Sequence, residues 1–150
     1  MSANDAVGRP MEILLVEDSP VSARLTMGAL RKGNVQHRMT WLTDGQEALD
    51  FVHQAGRFAK APRPDLILLD LGLPGRDGRE VLAELKADEG YQRIPVVVLT
   101  ASMAAEDVES AEKLSIEGYM TKPVDMEQFL NLIRKLKNFW HSEVILPTAE

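Results

Sequence analysis

The chain has no cysteine. That excludes a disulfide framework, a thiolate nucleophile and a thiolate metal site, and it is compatible with the cytoplasm, the expected location. Positive charge is in deficit: 17 Lys and Arg stand against 23 Asp and Glu, for a formal net charge of −6. A strongly basic face is not expected, and nucleic acid is not an expected partner. Long hydrophobic runs are missing, so no segment has the length of a transmembrane helix and no membrane partner is expected. The opening Met1-Ser2-Ala3-Asn4-Asp5 has neither the basic start nor the apolar core of a signal peptide. A glycine-rich phosphate loop is absent, which leaves nucleotide binding without support. What is there is ordinary: 150 residues, 45% hydrophobic and 27% charged. That is the profile of one domain with a single sizeable core.

The most informative stretch is Leu66-Ile67-Leu68-Leu69-Asp70, four large aliphatics running into an aspartate. Pro64 precedes it, and Gly72, Pro74 and Gly75 follow. A continuous apolar run bounded in this way predicts a strand buried on both faces, in the middle of a parallel sheet. Asp70 then falls at its carboxyl end, where open α/β sheets place their ligand crevice. A lone aspartate after a strand is as readily a turn or helix-cap residue. The rest of the chain has to decide between the two.

Residues 1–10 read as a loose arm. Met11 to Val16 predicts a first strand, which ends in Glu17 and Asp18. Ser19 suits a helix N-cap and Pro20 the first helical position. Val21, Leu25, Met27, Gly28 and Leu30 are expected on that helix's buried side, with Gly33-Asn34 as the stop. Val35 to Leu42 reads as a less apolar edge strand. A second helix is expected over 46–54, burying Ala48, Leu49, Phe51 and Val52. Residues 56–64 form a surface excursion. A third helix over 79–87 buries Val81, Leu82 and Leu85, and a fourth strand over 94–100 ends at Thr100. A fourth helix follows over 104–114, then a fifth strand over 118–121 that runs into Lys122-Pro123. Asp125 caps a last helix over 126–140, and 141–150 is a tail. The domain proper is thus 11–140. Unbroken alternation of strand and helix predicts a doubly wound parallel sheet with helices on both faces. With right-handed crossovers, the flavodoxin-like (βα)5 strand order 2-1-3-4-5 fits. Strands one, three and four are the apolar ones, and strand two belongs at the edge.

In such a sheet all strand ends of one sense share a rim. That rim collects Glu17 and Asp18, Asp70, Thr100 and Lys122. Three carboxylates so close cannot all stay charged without a cation. Oxygen-only ligands select a hard ion; Mg2+ is expected, and Mn2+ can substitute. Lys122 can neutralise a phosphoryl oxygen and Thr100 can hydrogen-bond another. An aspartate beside a divalent ion, a lysine and a hydroxyl suits phosphoryl transfer onto carboxylate. Each residue alone is more readily a cap or solvated surface; five at successive strand ends point to function.

These residues resemble a known family. Glu17-Asp18, Asp70 within LLDLGLPGRDG, Leu99-Thr100-Ala101 and Tyr119-Met120-Thr121-Lys122-Pro123 are similar to the receiver domain of two-component response regulators, from Glu12 to about Arg134. The resemblance implies that Asp70 accepts a phosphoryl group from a phosphohistidine on a sensor histidine kinase. It implies that Glu17, Asp18 and Asp70 hold Mg2+, with the backbone carbonyl of Gly72 as a further ligand. Family members often carry Asn at the Gly72 position. Since that ligand is main chain, glycine is expected to leave metal binding intact and to alter the dephosphorylation rate. Lys122 would bind phosphoryl oxygens, Thr100 would swing toward them, and Tyr119 would turn inward. By spacing alone Tyr119 is as well read as a packed or surface aromatic. The excursion before PDLILLDL and the ending from Phe139 to Pro147 further resemble regulators paired with bacterial and cyanobacterial phytochromes.

The expected role is a phosphorylation-dependent binding switch, not an enzyme beyond promoting its own phosphorylation and dephosphorylation. Two rivals stand beside it. An aspartate-nucleophile phosphatase of haloacid-dehalogenase type would want a second aspartate where Gly72 stands, and a cap domain. A constitutive interaction module of the same fold would have no use for the site residues. His37, His53 and His141 lack metal-ligand spacing and read as solvated. Met103, Met120 and Met126 read as gap-fillers. Finally, Phe129, Leu132, Ile133, Leu136, Phe139 and Trp140 cover an arc of roughly 120° on a helical wheel. Phe139 and Trp140 are expected beyond the sheet edge, and Val144, Ile145 and Leu146 add apolar surface. A homodimer through the last helix and tail is therefore expected; the alternative is a tail folded back over its own domain.

Overall fold

The computed structural model describes residues 8–33, 35–73, 77–100, 116–140 and 145, the side chain of Asn138 excepted. Five strands are present: β1 Met11–Val16, β2 His37–Leu42, β3 Leu66–Asp70, β4 Val96–Thr100 and β5 Gly118–Thr121. They form one sheet in the order β2-β1-β3-β4-β5, with every pairing parallel. This is the flavodoxin-like arrangement expected from the sequence. Four α-helices are described: α1 Pro20–Lys32, α2 Gly45–His53, α3 Gly78–Ala87 and α4 Met126–Lys135. The helix expected over 104–114 lies outside the described residues, as do Met103 and His141. Among the described residues no helix is long and apolar enough to cross a membrane.

The helix starts follow from side-chain chemistry. The Ser19 hydroxyl accepts from the Ser22 N–H, and Pro20 opens α1 where no N–H is needed. Asp44 and Asp125 cap α2 and α4 in the same way. Asp77 and Glu80 form a reciprocal capping box on α3.

Successive residues of a strand point to opposite faces, and here both faces are covered. Leu14, Val16, Ile67, Leu69, Val96 and Val98 meet α2 and α3 through Leu49, Val52, Val81 and Leu82. Ile13, Leu15, Leu66, Leu68, Val97 and Leu99 meet α1 and α4 through Ala23, Leu30, Phe129 and Ile133. That double burial explains the unbroken aliphatic run of β3. Truncating a core leucine there to alanine costs about 2–5 kcal/mol.

Two expectations are corrected. The buried face of α1 is Ala23, Thr26 and Leu30, with Met27 partly covered. Val21 and Leu25 are 63% and 53% exposed. The spacing of 21, 25 and 28 is helical, yet it marks an outer stripe. The sheet takes the small Ala23 and lets Thr26 satisfy its hydroxyl on the Ser22 carbonyl at 3.0 Å. Secondly, the last α-helix ends at Lys135; a 3-10 turn over Lys137–Phe139 follows. That turn swings Trp140 back into its own domain, where it is only 4% exposed. Its indole N–H donates to the Asp65 carbonyl at 2.8 Å. An indole carries one donor and a large apolar body, and this position satisfies both. Phe139 stays 43% exposed.

At the amino end of the sheet, Asp65 ties three segments together. Its carboxylate accepts from the two terminal guanidinium nitrogens of Arg9, at 2.6 and 2.8 Å, and from the Glu12 N–H at 2.8 Å. The Ile145 N–H reaches the Arg9 carbonyl at 2.9 Å. Nearby, Lys86 at the end of α3 and Glu117 before β5 form a largely buried pair at 3.0 Å. Glu117 also accepts from the Val96 N–H at 2.7 Å, and Lys86 reaches the carbonyls of Gln92 and Ile94. Replacing Glu117 by Leu strands a buried ammonium and a buried N–H, so we predict a loss of about 2–3 kcal/mol in urea denaturation. The double variant Lys86→Met/Glu117→Leu should recover part of that loss. A Glu117→Leu midpoint equal to wild type would show that the pair contributes nothing.

Candidate functional site

Strand parity brings the acidic groups together. Met11, Ile13 and Leu15 face α1 and α4, and the next position of that parity is Glu17. Leu66 and Leu68 face the same way, and the next is Asp70. The register pairs Leu15 with Leu68 and Val16 with Leu69, which sets Glu17 alongside Asp70. Asp18 follows on the loop before α1. One carboxylate oxygen each from Glu17, Asp18 and Asp70 lie within 4.8 Å of one another.

β5 delivers the opposing charge. The Lys122 ammonium donates to Asp70 Oδ2 at 2.9 Å and lies 2.7 Å from Glu17 Oε1. The second approach is ionic and poorly aligned: Oε1 is buried without a hydrogen-bond partner among the described residues. Glu17 Oε2 accepts from the Ser19 N–H at 3.1 Å, and Asp70 Oδ1 from the Gly72 N–H at 3.0 Å. Asp18 is exposed. Thr100 ends β4 beside Thr121, and its carbonyl accepts the Lys122 N–H at 2.8 Å. Tyr119 pairs with Val98 and is 37% exposed. The structure thus brings Glu17, Asp70 and Lys122 into contact, places an Asp18 carboxylate oxygen within 4.8 Å of those of Glu17 and Asp70, sets Gly72 and Thr100 beside them, and leaves Tyr119 at the surface of β5.

The charges at this site are out of balance. Burial raises the Glu17 carboxyl above the ordinary carboxylate range, and the neighbouring Asp70 adds to it; the Lys122 and Ser19 contacts pull the other way and lose. Burial works against the Lys122 ammonium, but its contacts with Glu17 and Asp70 together outweigh that and leave its pKa raised. One ammonium does not neutralise three carboxylates. A buried Glu17 carboxylate that shares its one ammonium with Asp70, in an all-oxygen donor set, is what a hard divalent cation fits.

Two contributors were not apparent from the sequence. A Cβ on Gly78 would lie 2.5 Å from the Asp70 carbonyl and 2.6 Å from Leu71 Cα. Only glycine lets α3 start so close beneath the Asp70 backbone, where its N–H donates to the Leu71 carbonyl at 3.1 Å. A glycine opening a helix after a loop is the signal that could have shown this. The other is Trp41 on β2, whose indole N–H donates to the Glu17 carbonyl at 2.7 Å. No sequence pattern links those two positions.

The raised Glu17 pKa has a consequence for stability. The folded protein holds that proton more tightly than the unfolded chain, so stability falls as pH rises from the ordinary carboxylate range through the raised value. Lys122 adds no slope there, because a raised lysine loses its contribution only on passing its folded pKa at alkaline pH. We predict that Glu17→Gln is more stable than wild type at pH 8 without divalent ions, and that the advantage shrinks at pH 4. Urea midpoints at the two pH values measure it. An advantage that is the same at both, or none at pH 8, would contradict the assignment.

Comparison with known proteins agrees with this geometry. The family model for the response regulator receiver domain matches residues 13–134. The response regulator Rcp1 of Synechocystis is 42% identical over 146 residues, covering 97% of this chain and 99% of Rcp1. The crystal structure of the Mn(2+)-bound form of Rcp1 superposes with a TM-score of 0.73, covering 93% of this chain and 100% of that one. The phosphorylated cyanobacterial phytochrome response regulator RcpA, also 42% identical, gives 0.74 over 93% of this chain and 99% of its own. The bacteriophytochrome response regulator RtBRR, 36% identical, gives 0.79 over 93% of this chain and 84% of its own. On its register, its strand-end carboxylates and these matches, the chain belongs to the response regulator receiver domain family.

Proposed function

We propose that this protein accepts a phosphoryl group on Asp70 from the phosphohistidine of a phytochrome-type sensor histidine kinase in the cytoplasm, and signals through contacts that depend on it. The observation that carries this is the contact of Asp70 with Lys122 inside a cluster of three carboxylates. Rcp1, 42% identical to this chain, has been crystallised in a Mn(2+)-bound form. Here Glu17, Asp18 and Asp70, with the Gly72 carbonyl, would hold Mg2+ or Mn2+. A bound divalent ion withdraws charge from the phosphoryl oxygens and cancels the carboxylate repulsion.

The chain's own residues supply the rest. One Asp70 oxygen forms the bond to phosphorus as the P–N bond of phosphohistidine opens, and that electron pair returns to the imidazole nitrogen. Lys122 already touches Asp70 and stays with the negative charge as it moves onto the phosphoryl oxygens. Thr100, at the next strand end, donates its hydroxyl to one of them, and Tyr119 moves inward from its exposed position on β5. A residue larger than glycine at position 72 would make only ordinary contact with Asp70, its Cβ 3.7 Å from Oδ1. The phosphatase alternative lacks support here: the Gly72 position offers Asp70 a backbone N–H and no acid or base.

A donor must approach this rim, and α1 begins there. Its outward Leu25 lines a groove with Arg24, Gly28, Lys32, Pro123, Val124 and Met126, and Val21, one turn earlier on the same helix, is also exposed. Exposed aliphatics beside a reactive carboxylate suit a docking helix of the kinase. Incubation with acetyl phosphate and Mg2+ should give an acid-stable, base-labile adduct that Asp70→Asn lacks. A phytochrome kinase should label wild type, and Leu25→Glu should slow that transfer while leaving acetyl phosphate labelling unchanged. Undiminished labelling of Asp70→Asn would remove Asp70 as the acceptor.

We further propose that two copies associate through α4, the turn after it and the tail. Trp140 and Ile145 are held by their own domain, so the exposed Phe139 carries this reading. Sedimentation of wild type and Phe139→Ser with Mg2+ and a phosphoryl analogue should show a dimer that the variant weakens. A wild type that stays monomeric at tens of micromolar would end the proposal.

A further inference from the structure

We propose that Trp41 is a positioning residue for the acidic pair, and that its indole N–H sets divalent-ion affinity by fixing the peptide unit joining Glu17 to Asp18. This rests on the proposed metal role of those two residues. The peptide group is planar, so whatever fixes the Glu17 carbonyl also fixes the Asp18 N–H and Cα. Trp41 Nε1 donates to that carbonyl at 2.7 Å. The preceding peptide unit is held by the same strand, through the Glu17 N–H and the Leu42 carbonyl at 3.0 Å. Both units flanking Glu17 are therefore anchored to the carboxyl end of β2, an edge strand that holds no carboxylate of the site.

Asp18 needs such an anchor. It is exposed, and among the described residues its carboxylate has no hydrogen-bond or ion-pair partner. Its aim comes from its backbone alone. Glu17, in contrast, has the Ser19 N–H and the Lys122 ammonium on its side chain. The indole suits the task because it is a donor only and cannot compete with the carboxylates for the cation. Phenylalanine would keep the packing and lose the donor, leaving a carbonyl unpaired beside two anions.

The test uses full-length protein with two replacements at position 41: Trp41→Phe, and Trp41 replaced by benzothienylalanine, which keeps the bicyclic shape without the N–H. Mn2+ affinity is read by water-proton relaxation, and fold by the urea midpoint in EDTA. Ion affinity should fall roughly fivefold in both variants, the equilibrium worth of one hydrogen bond. Leu30→Ala, which destabilises the core far from the rim, should leave affinity unchanged. Affinity within twofold of wild type in the benzothienylalanine protein would overturn the role even if Trp41→Phe folds poorly. An equal loss in Leu30→Ala would also overturn it, because the effect would then be general loosening. A wild type that binds no Mn2+ would overturn the metal reading itself, and the Trp41 role with it.

Discussion

Like charges held close together are the constraint on which this molecule turns. The parallel register leaves Glu17 and Asp70 side by side, and Asp18 follows one peptide later. Two of the three cannot retreat: Glu17 is fully buried, and Asp70 ends the most enclosed strand of the sheet. Burial and repulsion together raise the Glu17 pKa. The fold therefore maintains, at its carboxyl rim, a deficit of positive charge that hydrophobic burial elsewhere must offset. Both faces of β1, β3 and β4 are packed, which gives the sheet the rigidity to hold that arrangement.

Lys122 fills part of the deficit and is shared between two carboxylates. A shared ammonium is easily redirected, since giving up one partner leaves it the other. In the proposed reaction Glu17, Asp18 and Asp70 would hold a divalent ion that offsets their charge, and Lys122 would turn toward the phosphoryl oxygens without leaving Asp70. Trp41 belongs to the same economy of position. It holds main chain still so that a solvent-exposed Asp18 need not be held by its side chain.

Much of this was legible in the sequence because it depends on order along the chain. β1, β3 and β5 fall on the residues their apolar runs indicated, and strand ends in a parallel sheet share a rim whatever the details of packing. The two misjudged elements depend on things periodicity does not carry. Val21, Leu25 and Gly28 share a helical stripe, but only the neighbour decides which stripe of α1 is covered. For Trp140, the wheel assumed a helix continuing to the end. The chain instead tightened into a 3-10 turn, and an indole N–H found a backbone carbonyl 75 positions earlier. Trp41 escaped for the same reason, since it acts on main chain 24 positions earlier.

The Asp65 knot lies at the pole of the sheet opposite the carboxylates. Through it Arg9, the start of β3 and Trp140 are joined, and Ile145 is joined to Arg9. Both ends of the domain are thus moored at one pole while the chemistry sits at the other. A fluorophore, surface tether or fused protein attached at either end would hang from the quiet pole. Immobilised that way, the domain would present its rim outward, and force applied between its ends would load the Arg9–Asp65–Trp140 mooring before it reached the sheet.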